Sequence, residues 1–164
     1  MKRDQLLYAA PALLCAGLLG FGYYLQYFDN QDPCPLCLVQ RGFYFLVFAT
    51  FTVAALHDPK RLGALIYSIL AFLFSLAGGA VAVRQVWLQH LPADQVPACG
   101  PDLYFMLENF PLGRTIEKLF AGSGQCAEVH WTFLGLSIAG WSLVWFAALV
   151  LYALWLAFRG RNAV

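Results

Sequence analysis

The sequence predicts an all-α membrane protein, a four-transmembrane-helix bundle with a short amphipathic surface helix in its second outward loop. Three observations predict it. Of 164 residues, 61% are hydrophobic and only 12% are charged, whereas a soluble domain is nearer half apolar and about one quarter charged. Four apolar stretches are each long enough to cross a hydrocarbon core of about 30 Å, which takes about 20 helical residues. Between the third and fourth of these, Leu112, Ile116, Leu119 and Phe120 recur at i, i+4, i+7 and i+8, the spacing of one face of a helix. A net charge of +1 with no basic run gives no footing for nucleic acid.

The spans follow in chain order, and the chain from residue 1 to 164 reads as a single integral membrane domain. The first, approximately Leu6–Phe28, follows Lys2 and Arg3 as a signal peptide would. Its apolar run is longer than a secretory h-region and no small-x-small cleavage site follows, so it is expected to stay as a permanent span. Cys15 lacks the small residues that precede a lipoprotein cysteine, and reads as a packing residue. The second span, approximately Leu38–Leu56, carries Arg41 near its start; the third, Leu62–Val83, and the fourth, Phe133–Phe158, are free of charge. Lys2, Arg3, Lys60, Arg61, Arg159 and Arg161 then face one side of the membrane and Arg41, Arg84, Arg114 and Lys118 the other, six against four. The positive-inside bias places both termini in the cytoplasm. A short loop, residues 29–37, and a long one, residues 84–132, face outward.

Of five cysteines, all but Cys15 fall on the outward side: Cys34 and Cys37 in the short loop, Cys99 and Cys126 in the long one. Four cysteines allow three pairings. A bond between Cys34 and Cys37 would close only a tiny loop and so remove little chain entropy, which suits a bond that opens and closes better than a staple. Two other readings use the same residues: a disulfide-stapled scaffold, and a zinc site from Cys34, Cys37, Cys126 and His130. Pro35 suits a first helical turn, which sets Cys37 near a helix N-terminus, where the unpaired N–H groups favour a thiolate. Arg41, four residues on, shares the face of Cys37 and is expected to support that thiolate or bind a polar acceptor.

A dithiol that becomes a disulfide releases two electrons, and the chain carries no pattern for a bound acceptor. Cys37 is followed by leucine, so the pair is no haem attachment site, and the cysteine spacings match no iron–sulfur pattern. "GSGQCA", residues 122–127, matches G-x-G-x-x-A without the βαβ unit that a dinucleotide site needs. An acceptor dissolved in the membrane remains. A quinone, ubiquinone or menaquinone, is expected beside Cys37 and Arg41 among aromatic residues such as Phe43 and Tyr44.

The four spans, the C-x-x-C at the head of the second, the arginine four residues later and the stretch "SGQCAEVHWTFLGL" together resemble the DsbB family of membrane thiol oxidases, over roughly residues 8–155. The resemblance implies two redox-active disulfides, Cys34–Cys37 and Cys99–Cys126. It implies that Cys99 forms a mixed disulfide with a DsbA-like periplasmic partner, and that Cys126 passes electrons to Cys34 through a transient link. Cys37, supported by Arg41, would then face the quinone. The location implied is the bacterial inner membrane, with the active cysteines periplasmic.

Overall fold

The computed structural model describes residues 3–29, 33–92, 94–97, 103–122, 124–129 and 131–162. Four long helices run up and down: α1 (Arg3–Phe28), α2 (Pro35–His57), α3 (Arg61–Gln89) and, last in the chain, α7 (Ile138–Asn162). All four are long and apolar enough to cross a membrane. Between α3 and α7 lie three short helices, α4 (Leu103–Asn109), α5 (Leu112–Ala121) and α6 (Gly124–Ala127), and a small antiparallel hairpin of β1 (Thr132–Phe133) and β2 (Leu136–Ser137).

Local chemistry fixes the ends of these helices. Pro35 opens α2 at its first position and Cys34 is the N-cap, its sulfur accepting the Cys37 N–H at 3.4 Å. At the other end Asp58 turns into the left-handed region and its N–H returns to the Ala54 carbonyl. Pro59 follows, and a residue before proline is disfavoured from continuing a helix. Within α1, Pro11 cannot donate to the carbonyl four residues back. That carbonyl belongs to Leu7, and the Tyr152 hydroxyl of α7 donates to it at 2.8 Å. The bilayer offers no water for such an orphan, so a neighbouring helix supplies the donor.

The core joins all four long helices through Cys15, Val47, Phe51, Ala71, Ala82, Phe146 and Leu149. The most extensive packing is between α3 and α7. Gly78 has no side chain, and a Cβ there would lie 2.4 Å from Cζ of Phe146. The Phe146 ring is fully buried and stacks on Tyr44 at 4.1 Å. The Tyr44 hydroxyl sits 3.2 Å from the Ser142 carbonyl, to which it donates.

Two span boundaries differ from the sequence expectation. The third helix runs past Val83 to Gln89. Arg84 does not end it, because its guanidinium lies over the Trp87 ring at 4.3 Å, an arrangement that suits a membrane interface. The fourth helix starts at Ile138, not Phe133. Leu134 and Gly135 both have positive φ, the signature of a two-residue hairpin turn. Ser137 then caps α7, its Oγ accepting the Gly140 N–H at 3.1 Å and donating to Gln89 Oε1 at 2.6 Å.

The expected amphipathic helix is α5. It ends at Gly122, whose φ of +84° allows its N–H to reach the Lys118 carbonyl, as a helix C-terminus asks of glycine. The Thr115 hydroxyl donates to the Met106 carbonyl at 3.1 Å and ties α5 to α4. Leu112 and Ile116 remain exposed, so the bundle does not cover these two residues of its apolar face.

Candidate redox site

One end of the bundle gathers the chemistry: α1 and α3 finish there, and α2 and α7 begin. Cys34 and Cys37 lie on the first turn of α2 because Pro35 starts the helix between them. Their sulfurs are 2.9 Å apart, with Cys34 donating. Cys126, on α6, is fully buried in the same apolar cluster as Cys34, together with Leu36, Val81 and Leu88. A hydrogen bond with Cys126, then one with Cys37, and then burial hold the Cys34 thiol far above its ordinary range. Cys34 therefore keeps its proton. Cys99 and His130, both named from the sequence, lie outside the described residues.

Arg41 lines the same cavity as Cys37, but its hydrogen bonds go to α1 rather than to the thiol. One Nη donates to the Gly22 carbonyl at 2.9 Å and the other to Gln26 Oε1, and the guanidinium lies over the Tyr23 ring at 5.0 Å. The polar neighbour of the sulfurs is Gln85 of α3, which the sequence reading passed over. Its Nε2 donates to Cys37 Sγ at 3.1 Å and to Cys34 Sγ at 3.3 Å. Gln40 of α2 donates to its Oε1 at 2.6 Å. Gln40 and Gln85 are both buried. Ending the third span at Val83 left Gln85 in a loop. The available signal was a glutamine within an apolar run, since polar groups at membrane depth find partners.

Beside the thiols opens a cavity of about 540 Å³. Its polar end is formed by Cys34, Cys37, Gln40, Arg41 and Gln85, and its walls by Leu18, Leu19 and Leu25 of α1, Trp131 and Phe133 of the hairpin segment, and Trp145 of α7. Tyr44 lines it as expected. Phe43 does not: it packs into the core, with its Cβ against Gly78.

The model of the disulfide bond formation protein DsbB family matches residues 4–156. The chain belongs to the DsbB family. Disulfide bond formation protein B of Hahella chejuensis is 52% identical over 143 residues, 87% of this chain and 87% of the relative. The protein of the same name from Nitrosococcus oceani is 53% identical over 142 residues, 87% and 84% of the two chains. That from an Azoarcus species is 48% identical over 155 residues, 94% and 93%. Membership of DsbB gives the chain an oxidoreductase role in disulfide bond formation, and the four-span bundle is the scaffold expected of it.

Proposed function

We propose that this chain is a thiol:quinone oxidoreductase that reoxidises a DsbA-like thioredoxin-like protein in the periplasm and delivers the electrons to ubiquinone or menaquinone in the inner membrane. The observation that carries this reading is that Cys34 and Cys37 line the polar end of a large apolar cavity while Cys126 is buried against Cys34 behind it. The cavity suits a quinone ring: its walls are flat aromatics and branched aliphatics, and its polar end offers amide and guanidinium donors for carbonyl oxygens. A quinone accepts two electrons and two protons.

The residues act in order. The Cys99–Cys126 disulfide oxidises the partner's dithiol, with Cys99 forming the mixed disulfide. Cys126, released as a thiolate, attacks Cys34 of the Cys34–Cys37 disulfide. A transient Cys34–Cys126 bond forms and Cys37 leaves as a thiolate. The partner's second cysteine attacks the mixed disulfide, which releases the oxidised partner and frees Cys99 as a thiolate. Cys99 then attacks Cys126 of the Cys34–Cys126 bond, which restores the Cys99–Cys126 bond and leaves Cys34 and Cys37 reduced. The contact of Cys126 with Cys34 supports this order, because the exchange needs the two sulfurs within bonding reach. Arg41, held by Gly22 and Gln26 of α1, presents its positive charge to the same cavity. The experiment is quinone reduction by the purified protein supplied with a reduced thioredoxin-like protein. Absence of thiol-dependent quinone reduction would remove the proposal.

Arg41→Ala is expected to raise KM for quinone about ten- to a hundredfold, the worth of one charge-assisted hydrogen bond of about 1.5–3 kcal/mol. Arg41→Lys should raise it less, because lysine keeps the charge but lacks the planar fork. Steady-state rates at varied quinone concentration check this, and an unchanged KM in Arg41→Ala would make Arg41 an anchor only. The same reading places the thiol end of the bundle in the periplasm and both termini in the cytoplasm. Reporter fusions after Arg161 and near Gln95 should accordingly report opposite sides of the membrane.

A further inference from the structure

The polar contacts of the thiol pair are few and come chiefly from one side chain. Gln85 has a single amide nitrogen with two hydrogens. It lies 3.1 Å from Cys37 Sγ and 3.3 Å from Cys34 Sγ. The direction of the amide is set from the other side. Gln40 Nε2 can only donate, and it sits 2.6 Å from Gln85 Oε1. Reversing the Gln85 amide would bring two NH₂ groups face to face unless Gln40 turned as well. Both glutamines are 4% exposed, so bulk water does not compete for these bonds.

We propose that Gln85 tunes the reduction potential of the Cys34–Cys37 pair by aiming both amide hydrogens at the two sulfurs, and that Gln40 is the positioning residue that fixes this aim. The proposal rests on the reading of Cys34 and Cys37 as a redox pair. Opening their disulfide takes up two electrons and one proton, and leaves a thiol on Cys34 and a thiolate on Cys37. An N–H donor bonds more strongly to an ionised acceptor than to a neutral one, and disulfide sulfur is neutral. Gln85 therefore stabilises the reduced pair more than the oxidised pair, which makes the disulfide a stronger oxidant. In turnover, the same preference drives electrons from Cys126 onto this pair.

The test is a redox titration of purified full-length protein in which Cys99 and Cys126 are both replaced by alanine, leaving Cys34 and Cys37 as the outward pair. The protein is equilibrated with graded ratios of reduced to oxidised dithiothreitol, which supplies or removes the two electrons. Free thiols are then alkylated and the peptide carrying both cysteines is weighed. Gln85→Met keeps the side-chain length and removes the donors. It is expected to shift the equilibrium toward the disulfide about tenfold, a fall in potential of about 30 mV for a two-electron couple. Gln40→Met, which leaves Gln85 in place, is expected to shift it in the same direction by less. Gln40→Met also keeps the test alive should Gln85→Met fail to fold. A pair that titrates normally, with a potential unmoved in the folded variants, overturns the role of Gln85 alone. A pair that forms no reversible disulfide in the parent protein overturns the redox reading itself, and this inference with it.

Discussion

Cys37→Ser is expected to abolish quinone reduction while leaving the bundle folded. The thiolate is the reacting form of cysteine, and a serine hydroxyl neither ionises near neutral pH nor closes a disulfide. Cys37 also has no stand-in: the only other described sulfur beside the cavity is Cys34, which keeps its proton between Cys126 and Cys37. Loss of the reacting group should lower turnover by at least about three orders of magnitude, as deletion of a covalent nucleophile does. Stability should change by no more than about 1 kcal/mol. Serine is smaller than cysteine by little, and its oxygen accepts the Gln85 N–H that the sulfur accepts now. The measurement pairs quinone reduction with a thermal melt in one detergent. Near-normal turnover would return the pair to a structural role. Cys15→Ala is the control: fully buried in the core and not among the residues that line the cavity, it should leave activity unchanged.

The second large effect is expected at Gly78. A Cβ there would lie 2.4 and 2.5 Å from two ring carbons of Phe146, and 3.0 Å from Cβ of Phe43. The Phe146 ring cannot retreat without leaving its stack on Tyr44, and Tyr44 is itself tied to α7 through Ser142. Overpacking of this kind costs about 1–3 kcal/mol, so Gly78→Ala should melt well below the parent and Gly78→Leu should fail to assemble. Gly79 supplies the comparison. A Cβ there would meet Phe146 Cβ at 3.5 Å, an ordinary contact, and alanine is the better helix former by about 1 kcal/mol. Gly79→Ala is therefore expected to be neutral or mildly stabilising. Equal melting temperatures for Gly78→Ala and Gly79→Ala would refute the close approach of α3 and α7.

The spans were legible because lipid leaves a crossing segment little choice but a long apolar helix. Their ends were less so, because apolarity measures depth and not backbone direction. Phe133, Leu134 and Leu136 are as apolar as the helix that follows, yet positive φ at Leu134 and Gly135 turns them into a hairpin. The mark of the true start is Ser137, a capping residue three before Gly140. Arg84 misled in the opposite sense: a charge read as the end of a span is folded onto Trp87 while the helix continues. At the site, C-x-x-C and Arg41 are local patterns and could be read directly. The Gln40–Gln85 bond joins residues 45 apart in sequence, and no spacing rule reaches across two helices to find it. The retreat of Arg41 onto α1 has a similar cause, since it depends on a glycine carbonyl and a glutamine supplied by another element.

That attachment of Arg41 bears on how the chain enters the bilayer. Arg41 is the seventh residue of α2, about 9 Å along the helix from its start, and its hydrogen-bond acceptors both belong to α1. A guanidinium at that depth is tolerated when it has partners and is expensive when it has none. During synthesis from the N-terminus, α1 is already in the membrane when α2 emerges, so the charge meets its acceptors on arrival. A permuted chain that began with α2 would have to hold an unpaired cation until α1 was delivered last. The order of the first two helices is thus an assembly instruction, by which the earlier segment prepares a berth for the one charge the later segment carries inward.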